Sequence, residues 1–236
     1  LLPLFALNAN GYKRIIELSS KSYLTNDGLS DPFCDFKELT SNNDGIAIFS
    51  GSVYGLIGKL FNQAKYQDIE TIYLNLLSSY KDRFYIEIQR HTDLNEKIFE
   101  KYNLKKSHEY KIPIIATQEV FYLDQNMHEA HDALICIGNK TYLNEKNRKK
   151  FTKEHYFKSD KQMSDLFSDL PEALENNYNF PRRCSFKPEN SKPILPDISS
   201  EKGGNADEIL TKDSIAGLKD KFLNYFNKEM NNINKD

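Results

Sequence analysis

RFYIEIQRHTDLNEKIFEKYNLKKSHEYKIPIIATQEVFYLD, residues 83–124, is the stretch whose reading decides the fold. Phe84, Ile86 and Ile88 alternate with Tyr85, Glu87 and Gln89, the two-residue period of a strand. Asp93 with Glu96 three residues on has capping-box spacing, and Leu94, Ile98 and Tyr102 then recur at helical spacing. Residues 112–116 (IPIIA) are a short apolar run of the kind buried in a parallel sheet. Strand, crossover helix and second buried strand make one βαβ unit. Such units place their chemistry just past the carboxyl ends of the strands. Those ends are Gln89-Arg90-His91 and Gln118-Glu119-Val120-Phe121.

Upstream, residues 4–7 read as a strand, and Asn8-Ala-Asn-Gly11 turns it into a helix with Ile15, Leu18 and Tyr23 inward. Residues 26–43 form a polar loop rich in Asp-Gly and Asn-Asp turn signals. GIAIF, residues 45–49, is the next buried strand. Ser52 then stands as N-cap of a helix carrying Val53, Leu56, Ile57, Leu60, Phe61 and Ala64 on one stripe. Ile69, Ile72, Tyr73, Leu76 and Tyr80 mark a second helix. After Asp124 comes another, with Met127, Ala130, His131 and Leu134 along its stripe. The order β-α-β-α-α-β-α-β-α predicts a parallel sheet or a (β/α) barrel. Downstream, Ser159 and Gln162 cap a short helix, and Asp169-Leu-Pro171 starts one that ends near Cys184. Residues 186–205, with Pro188, Pro193, Pro196 and Gly203-Gly204, read as an extended connector. A last helix carries Ile215, Leu218, Phe222 and Phe226, and residues 231–236 read as frayed.

A chain of 236 residues with 15 Phe and 14 Tyr can bury a sizeable core. The net charge of −2 argues against a nucleic-acid or membrane-surface protein as a whole. No run approaches the roughly 20 apolar residues of a membrane span. Cys34, Cys136 and Cys184 are odd in number and far apart, which points to a reducing, cytoplasmic compartment. The opening LLPLFAL lacks the flanks of a signal peptide and reads as a strand begun in mid-stride.

Ser50-Gly51-Ser52 at a strand-to-helix turn has the form of an anion site, but the residues favour a plain cap. Glu87, His91 and Glu119 are the ligand-type side chains near the strand ends. Hydrolytic metal sites need three or more oriented ligands per ion, so these three are a weak set. A surface His91 beside Arg90 is more simply solvated. His128 and His131 share a helix face with no visible third ligand, and Cys136 reads as packing. From Lys140 to Lys161 there are eight Lys or Arg and three acids, interleaved with Tyr142, Phe151, Tyr156 and Phe157. Such a segment can touch phosphates, but it is more often a solvated loop anchored by its aromatics.

GIAIFSGSVYGLIGKL, RFYIEIQRH, IPIIATQEVFYLD, HEAHDALICIG, HYFKSDKQMSDLF and LPEALENN, in this order, resemble the PHP (polymerase and histidinol phosphatase) domain of bacterial replicative DNA polymerase III alpha subunits. The likeness covers about Asn8 to Cys184; Lys192-Pro-Ile-Leu-Pro196 and the helix after it resemble the connector into a polymerase core. It implies an α/β fold: a partial (β/α) barrel of PHP type over residues 1–185, then a mostly helical C-terminal extension over 186–236. It also implies a chain incomplete at both ends, with a His-x-His motif upstream and the polymerising carboxylates downstream. A sheet edge beside residues 4–7 would then be exposed and aggregation-prone.

Metal-binding members of that family have Ser-Gly-Cys where this chain has Ser50-Gly51-Ser52, and Thr-Asn-Asp-Val-His where it has Thr117-Gln118-Glu119-Val120-Phe121. Ser52, Glu119 and Phe121 are thus vestigial metal-site positions: a hydroxyl for a thiolate, a longer carboxylate, and a phenyl ring for an imidazole. The resemblance implies a segment of a DNA-directed DNA polymerase, with no catalytic residue and no metal in this chain and Mg2+ expected for the parent. Its role would be structural and partner-docking. The implied partners are the proofreading exonuclease subunit, other replicase subunits and, through the parent, primed DNA. An active metal-dependent phosphoesterase or 3'-5' exonuclease, with Glu119 and His91 as rescued ligands, and a free-standing binding module are the competing expectations.

Overall fold

Both faces of the strand at residues 84–89 are buried, which fixes how the rest of the chain packs. The computed structural model describes residues 1–26, 28, 30–190, 192–193 and 205–226, and it divides into two units, Leu1–Lys187 and Pro188–Asp236. In the first unit a four-stranded sheet has the order β1 (Leu4–Ala6), β2 (Ile46–Phe49), β3 (Phe84–Gln89), β4 (Ile114–Thr117). Strands β2, β3 and β4 are parallel, with Ile88 opposite Ala116 and Gln89 opposite Thr117. Their carboxyl ends therefore open on one side of the molecule.

The two-residue period sorts two cores. Ile46, Ile48, Phe84, Ile86, Ile88, Ile114 and Ala116 pack under the helices α3 (Leu56–Asn62), α4 (Tyr66–Tyr80) and α5 (Leu94–Tyr110). The alternate positions Ala47, Phe49, Tyr85 and Ile115 form a second cluster with Leu7 and Phe180. The rings of Phe49, Tyr85 and Phe180 meet edge to face with centroids 4.9–5.6 Å apart. Two buried faces on a mostly parallel sheet, with helices between the strands, are those of a partial barrel of the expected type.

One ladder departs from the expected parallel order. β1 pairs antiparallel with β2, Leu4 opposite Ile48 and Ala6 opposite Ile46. The excursion through α1 (Ala9–Leu24) and α2 (Phe36–Thr40) leaves and returns at the same end of the sheet, so it is a long hairpin and not a crossover. The Leu7 N–H bonds the Gly45 carbonyl at 2.8 Å, and Asn8 caps α1 by accepting from the Gly11 N–H. A Cβ on Gly11 would strike the Gly45 carbonyl oxygen, so glycine lets the start of α1 lie directly on the entry to β2.

Several local expectations are corrected. Tyr23 is exposed, and residues 36–40 of the polar loop are helical, seated on the α4 residue Tyr80, whose hydroxyl donates to the Leu39 carbonyl. Ser52 does not cap α3: the helix begins after Gly55, and Ala64, in the left-handed region at φ 55°, lies beyond its end. On α5 the buried positions are Glu96, Phe99, Asn103 and Lys106, while Leu94 and Ile98 are exposed. Polar partners outweigh hydropathy there: Asn103 accepts from the buried Tyr73 hydroxyl at 2.8 Å, and Lys106 pairs with Glu70. On α6 (His128–Asn139) the buried residue is Cys136, and Met127, Ala130 and Leu134 face solvent.

The capping box at Ser159 and Gln162 opens α7 (Asp160–Leu166), and Pro171 opens α8 (Pro171–Asn179). The Asn176 amide donates to the Ile114 carbonyl at 2.8 Å on the outer edge of β4. A 3-10 turn, Phe180–Arg183, then delivers Phe180 to the second core and the Arg183 guanidinium to the Tyr85 hydroxyl at 2.6 Å. The second unit contains α9 (Ala206–Phe226). The expected connector residues Pro196 and Gly203-Gly204, and residues 231–236, lie outside the described residues, as does the side chain of Phe226.

Candidate functional site

The strand ends of β2, β3 and β4 gather the sequence-derived site residues on one side of the sheet. His91, just past β3, is 1% exposed and not the solvated surface residue its neighbour Arg90 suggested. The His91 main-chain N–H donates to Glu96 Oε2 at 2.6 Å, and its Nδ1 lies 2.7 Å from Glu96 Oε1. Its Nε2 accepts the Glu119 main-chain N–H at 3.2 Å. Because Nε2 is an acceptor, the ring proton sits on Nδ1 and points at the Glu96 carboxylate. Glu96 therefore braces His91 and not the Asp93 N–H that the capping box called for; the Asp93 carboxylate caps α5 through the Asn95 N–H at 2.8 Å.

A second imidazole, unanticipated by the sequence, completes the arrangement. His155 lies on His91 with ring centroids 4.0 Å apart and planes 11° from parallel. Its Nε2 is 4.0 Å from Glu119 Oε2, and its Nδ1 is near the Thr152 hydroxyl at 3.2 Å. Burial, then the neighbouring His91, holds the His155 pKa down to about 4, so the His155 ring is neutral at physiological pH. Phe121 fills the next position. Its ring stacks on His131 at 5.3 Å and His155 at 5.4 Å, and meets Phe151 at 4.2 Å.

The segment at residues 140–161 thus supplies part of the site wall. Phe121 N–H donates to the His155 carbonyl and Phe157 N–H to the Tyr122 carbonyl, each at 2.9 Å, and Tyr122 bridges Tyr156 in parallel. Phe151 and Tyr156 anchor it, whereas Tyr142 and Phe157 stay exposed. No local pattern around His155 announces this; only the bridge to residues 121–122 brings it to His91.

Glu87 is held at the same strand ends. Its Oε1 accepts from Gln89 Nε2 at 2.9 Å and from the Thr117 hydroxyl, and the Gly51 main chain also bonds the carboxylate. Its Oε2 is buried with no partner among the described residues. Burial raises the Glu87 pKa against the opposing pull of those bonds. The Ser50-Gly51-Ser52 turn is consumed internally. Glu87 N–H donates to Ser50 Oγ at 2.9 Å, Tyr54 N–H to Ser52 Oγ at 3.3 Å, and Gly55 N–H to the Ser52 carbonyl at 2.9 Å. The Ser50 N–H donates to the Tyr85 carbonyl at 3.0 Å and the Gly51 main chain bonds Glu87, so neither is available to an anion.

The side chains do not fit a metal ion. Among the described residues no three His, Cys, Asp or Glu groups are gathered as one would require. His91 has both ring nitrogens engaged, Phe121 has no donor atom, and the Ser52 hydroxyl is held in its own turn. His128 and His131 do not form a ligand pair: His128 Nε2 is 2.9 Å from the Phe151 carbonyl, and His131 lies against Phe121.

Residues 1–91 match the family model described as the PHP domain. Over 218 residues, 92% of the chain, the sequence is 33% identical to DNA polymerase III subunit alpha of Caulobacter vibrioides. It is 34% identical over 215 residues, 91% of the chain, to that of Rickettsia bellii, and 28% identical over 221 residues, 93% of the chain, to that of Pseudomonas aeruginosa. The chain matches a PHP-bearing segment of DNA polymerase III alpha subunits. It spans 18–19% of the length of these relatives. The PHP match takes in Ser52, Glu87 and His91 and ends there; Glu119, Phe121 and His155 lie in the part covered by the polymerase relatives alone. No helix of the chain, among the described residues, is long and apolar enough to cross a membrane.

Proposed function

We propose that this chain is the PHP segment of the polymerising subunit of a bacterial replicative DNA polymerase, acting in the cytoplasm. Within it, residues 1–185 are a metal-free PHP domain with a structural and partner-docking role, and residues 186–236 lead toward the polymerase core. Nucleotidyl transfer, its Mg2+ and contact with primed DNA belong to the rest of the parent protein. The partners are the proofreading exonuclease subunit and other replicase subunits. The observation that carries the metal-free reading is the double engagement of His91, by Glu96 on Nδ1 and the Glu119 N–H on Nε2, beside the phenyl ring of Phe121. A metal would have to break a buried hydrogen-bond pair to reach the His91 imidazole, and Phe121 beside it offers no donor atom.

The test is elemental analysis of the full-length protein, with a 3'-5' exonuclease assay and its Glu119→Ala variant. No stoichiometric zinc or manganese, and no exonuclease activity that responds to Glu119→Ala, is expected. Bound metal together with activity lost in that variant would establish the active phosphoesterase reading instead. Docking is read separately, as co-elution of the full-length subunit with its proofreading exonuclease on size exclusion.

A further inference from the structure

The second half of α6 presents a groove that the PHP site does not use. The chain leaves α6 through Lys140 in the left-handed region, and the Thr141 N–H bonds the Cys136 carbonyl at 2.9 Å. That cap folds residues 141–144 back against the helix. Ile137, Tyr142 and Leu143 wall a groove of about 670 Å³ with Ala133 and Cys136 inside it, and they are 75%, 75% and 57% exposed. The neighbouring Leu134 is 64% exposed. Contiguous apolar surface of this kind marks interaction sites.

The groove is held in shape. Arg148 grips both Asp132 oxygens, at 2.5 and 2.6 Å, and its guanidinium also reaches the Leu143 carbonyl at 3.3–3.4 Å. The Tyr142 N–H donates to Glu145 at 2.9 Å. Asp132 is thereby neutralised by Arg148, while Glu145 keeps its charge. Lys140, Lys146 and Lys150 form no ion pair among the described residues, and Lys149 lies over the Phe151 ring. The result is an aliphatic floor with Lys140 in its wall, beside a segment, residues 140–150, that carries five basic residues and one acid.

We propose that this groove docks an acidic amphipathic segment of a partner protein, its apolar residues on Ile137 and Leu143 and its carboxylates on the lysines. Charge complementarity selects acidic over basic segments, and the preformed groove suits a helix laid in by its apolar face. The walls favour protein over single-stranded nucleic acid. A base-stacking track needs successive aromatics, and only Tyr142 among the exposed groove residues is one. The proposal names a face within the partner-docking reading above and rests on it.

The probe is a fluorescein-labelled synthetic helix with Leu and Ile on one face and Glu on the other, titrated by anisotropy into the full-length protein. A Lys-for-Glu version and an oligo-dT strand serve as comparisons. The acidic peptide should bind, with affinity falling about tenfold in Ile137→Asp and in the double variant Lys146→Glu/Lys150→Glu. Both variants should keep the wild-type melting curve, since the changed side chains are on the surface. Equal binding of the basic peptide, preference for oligo-dT, or indifference to Ile137→Asp would each overturn the proposal. So would a dimer in sedimentation equilibrium that Ile137→Asp disperses, because the occupant would then be a second copy. Because the probe is synthetic, failure here leaves co-elution of the proofreading subunit as an independent result.

Discussion

His155 shows how one buried ring makes stability depend on pH. Its folded pKa of about 4 lies below the ordinary 6.5, so between those values the unfolded chain binds the extra proton. Stability is then complete above about pH 6.5 and falls as the pH drops toward 4. The expected loss is at most about 3 kcal/mol from this group. Urea unfolding at pH 7 and pH 4.5 should give a smaller pH difference in His155→Gln than in the wild type; an unchanged difference would refute the assignment. Glu87 has the opposite sign. Its folded pKa is raised, so its contribution is best at acid pH and is lost as the pH climbs through the folded value. Glu87→Gln keeps the shape without the buried charge and should raise stability at pH 7 by about 1 kcal/mol, with the gain gone at pH 4. A loss at pH 7 would mean that the bonds from Thr117, Gln89 and Gly51 outweigh desolvation.

Between elements, the tightest contact is the one where α1 starts on the entry to β2. A methyl group on Gly11 has nowhere to go, since it faces main chain and not a flexible side chain. Gly11→Ala should cost roughly 2 kcal/mol in thermal or urea unfolding, and a neutral result would show that β1 and α1 can shift away from β2. Helix by helix, the sequence was most legible where the signal is local. Ser159 with Gln162, Pro171, and the apolar stripe of α4 each appear where their chemistry placed them. It was least legible on α5 and α6. There, apolar periodicity pointed to Leu94, Ile98 and Leu134, and the buried face is instead set by Asn103 meeting Tyr73, Lys106 meeting Glu70, and Asp132 meeting Arg148. Periodicity cannot register a polar residue that becomes buried because its partner arrives from another helix or loop.

For the whole molecule, the smaller core on the second face of the sheet is the joint that ties the end of the first unit to its beginning. Phe180 packs there on Phe5, Phe49 and Tyr85, while the Ser185 N–H bonds the Leu7 carbonyl at 2.8 Å. Phe180→Ala should destabilise the protein by about 3 kcal/mol, with near-UV circular dichroism of the tyrosines reporting the loss. A change under about 1 kcal/mol would mean that α8 docks without this ring. The α/β class, the strand ends at His91 and Glu119, and the absence of a donor atom at Phe121 follow from the residues themselves, because strand period, helix caps and side-chain chemistry are written within a few neighbouring positions. The antiparallel β1, the locking of His91 by Glu96, the arrival of His155 and the apolar groove beside Ile137 were decided only by the tertiary structure. The antiparallel β1 and the arrival of His155 depend on segments far apart in sequence meeting in space. The His91 lock and the groove join near neighbours through a turn and a left-handed cap, and hydropathy and spacing along the chain carry no record of either.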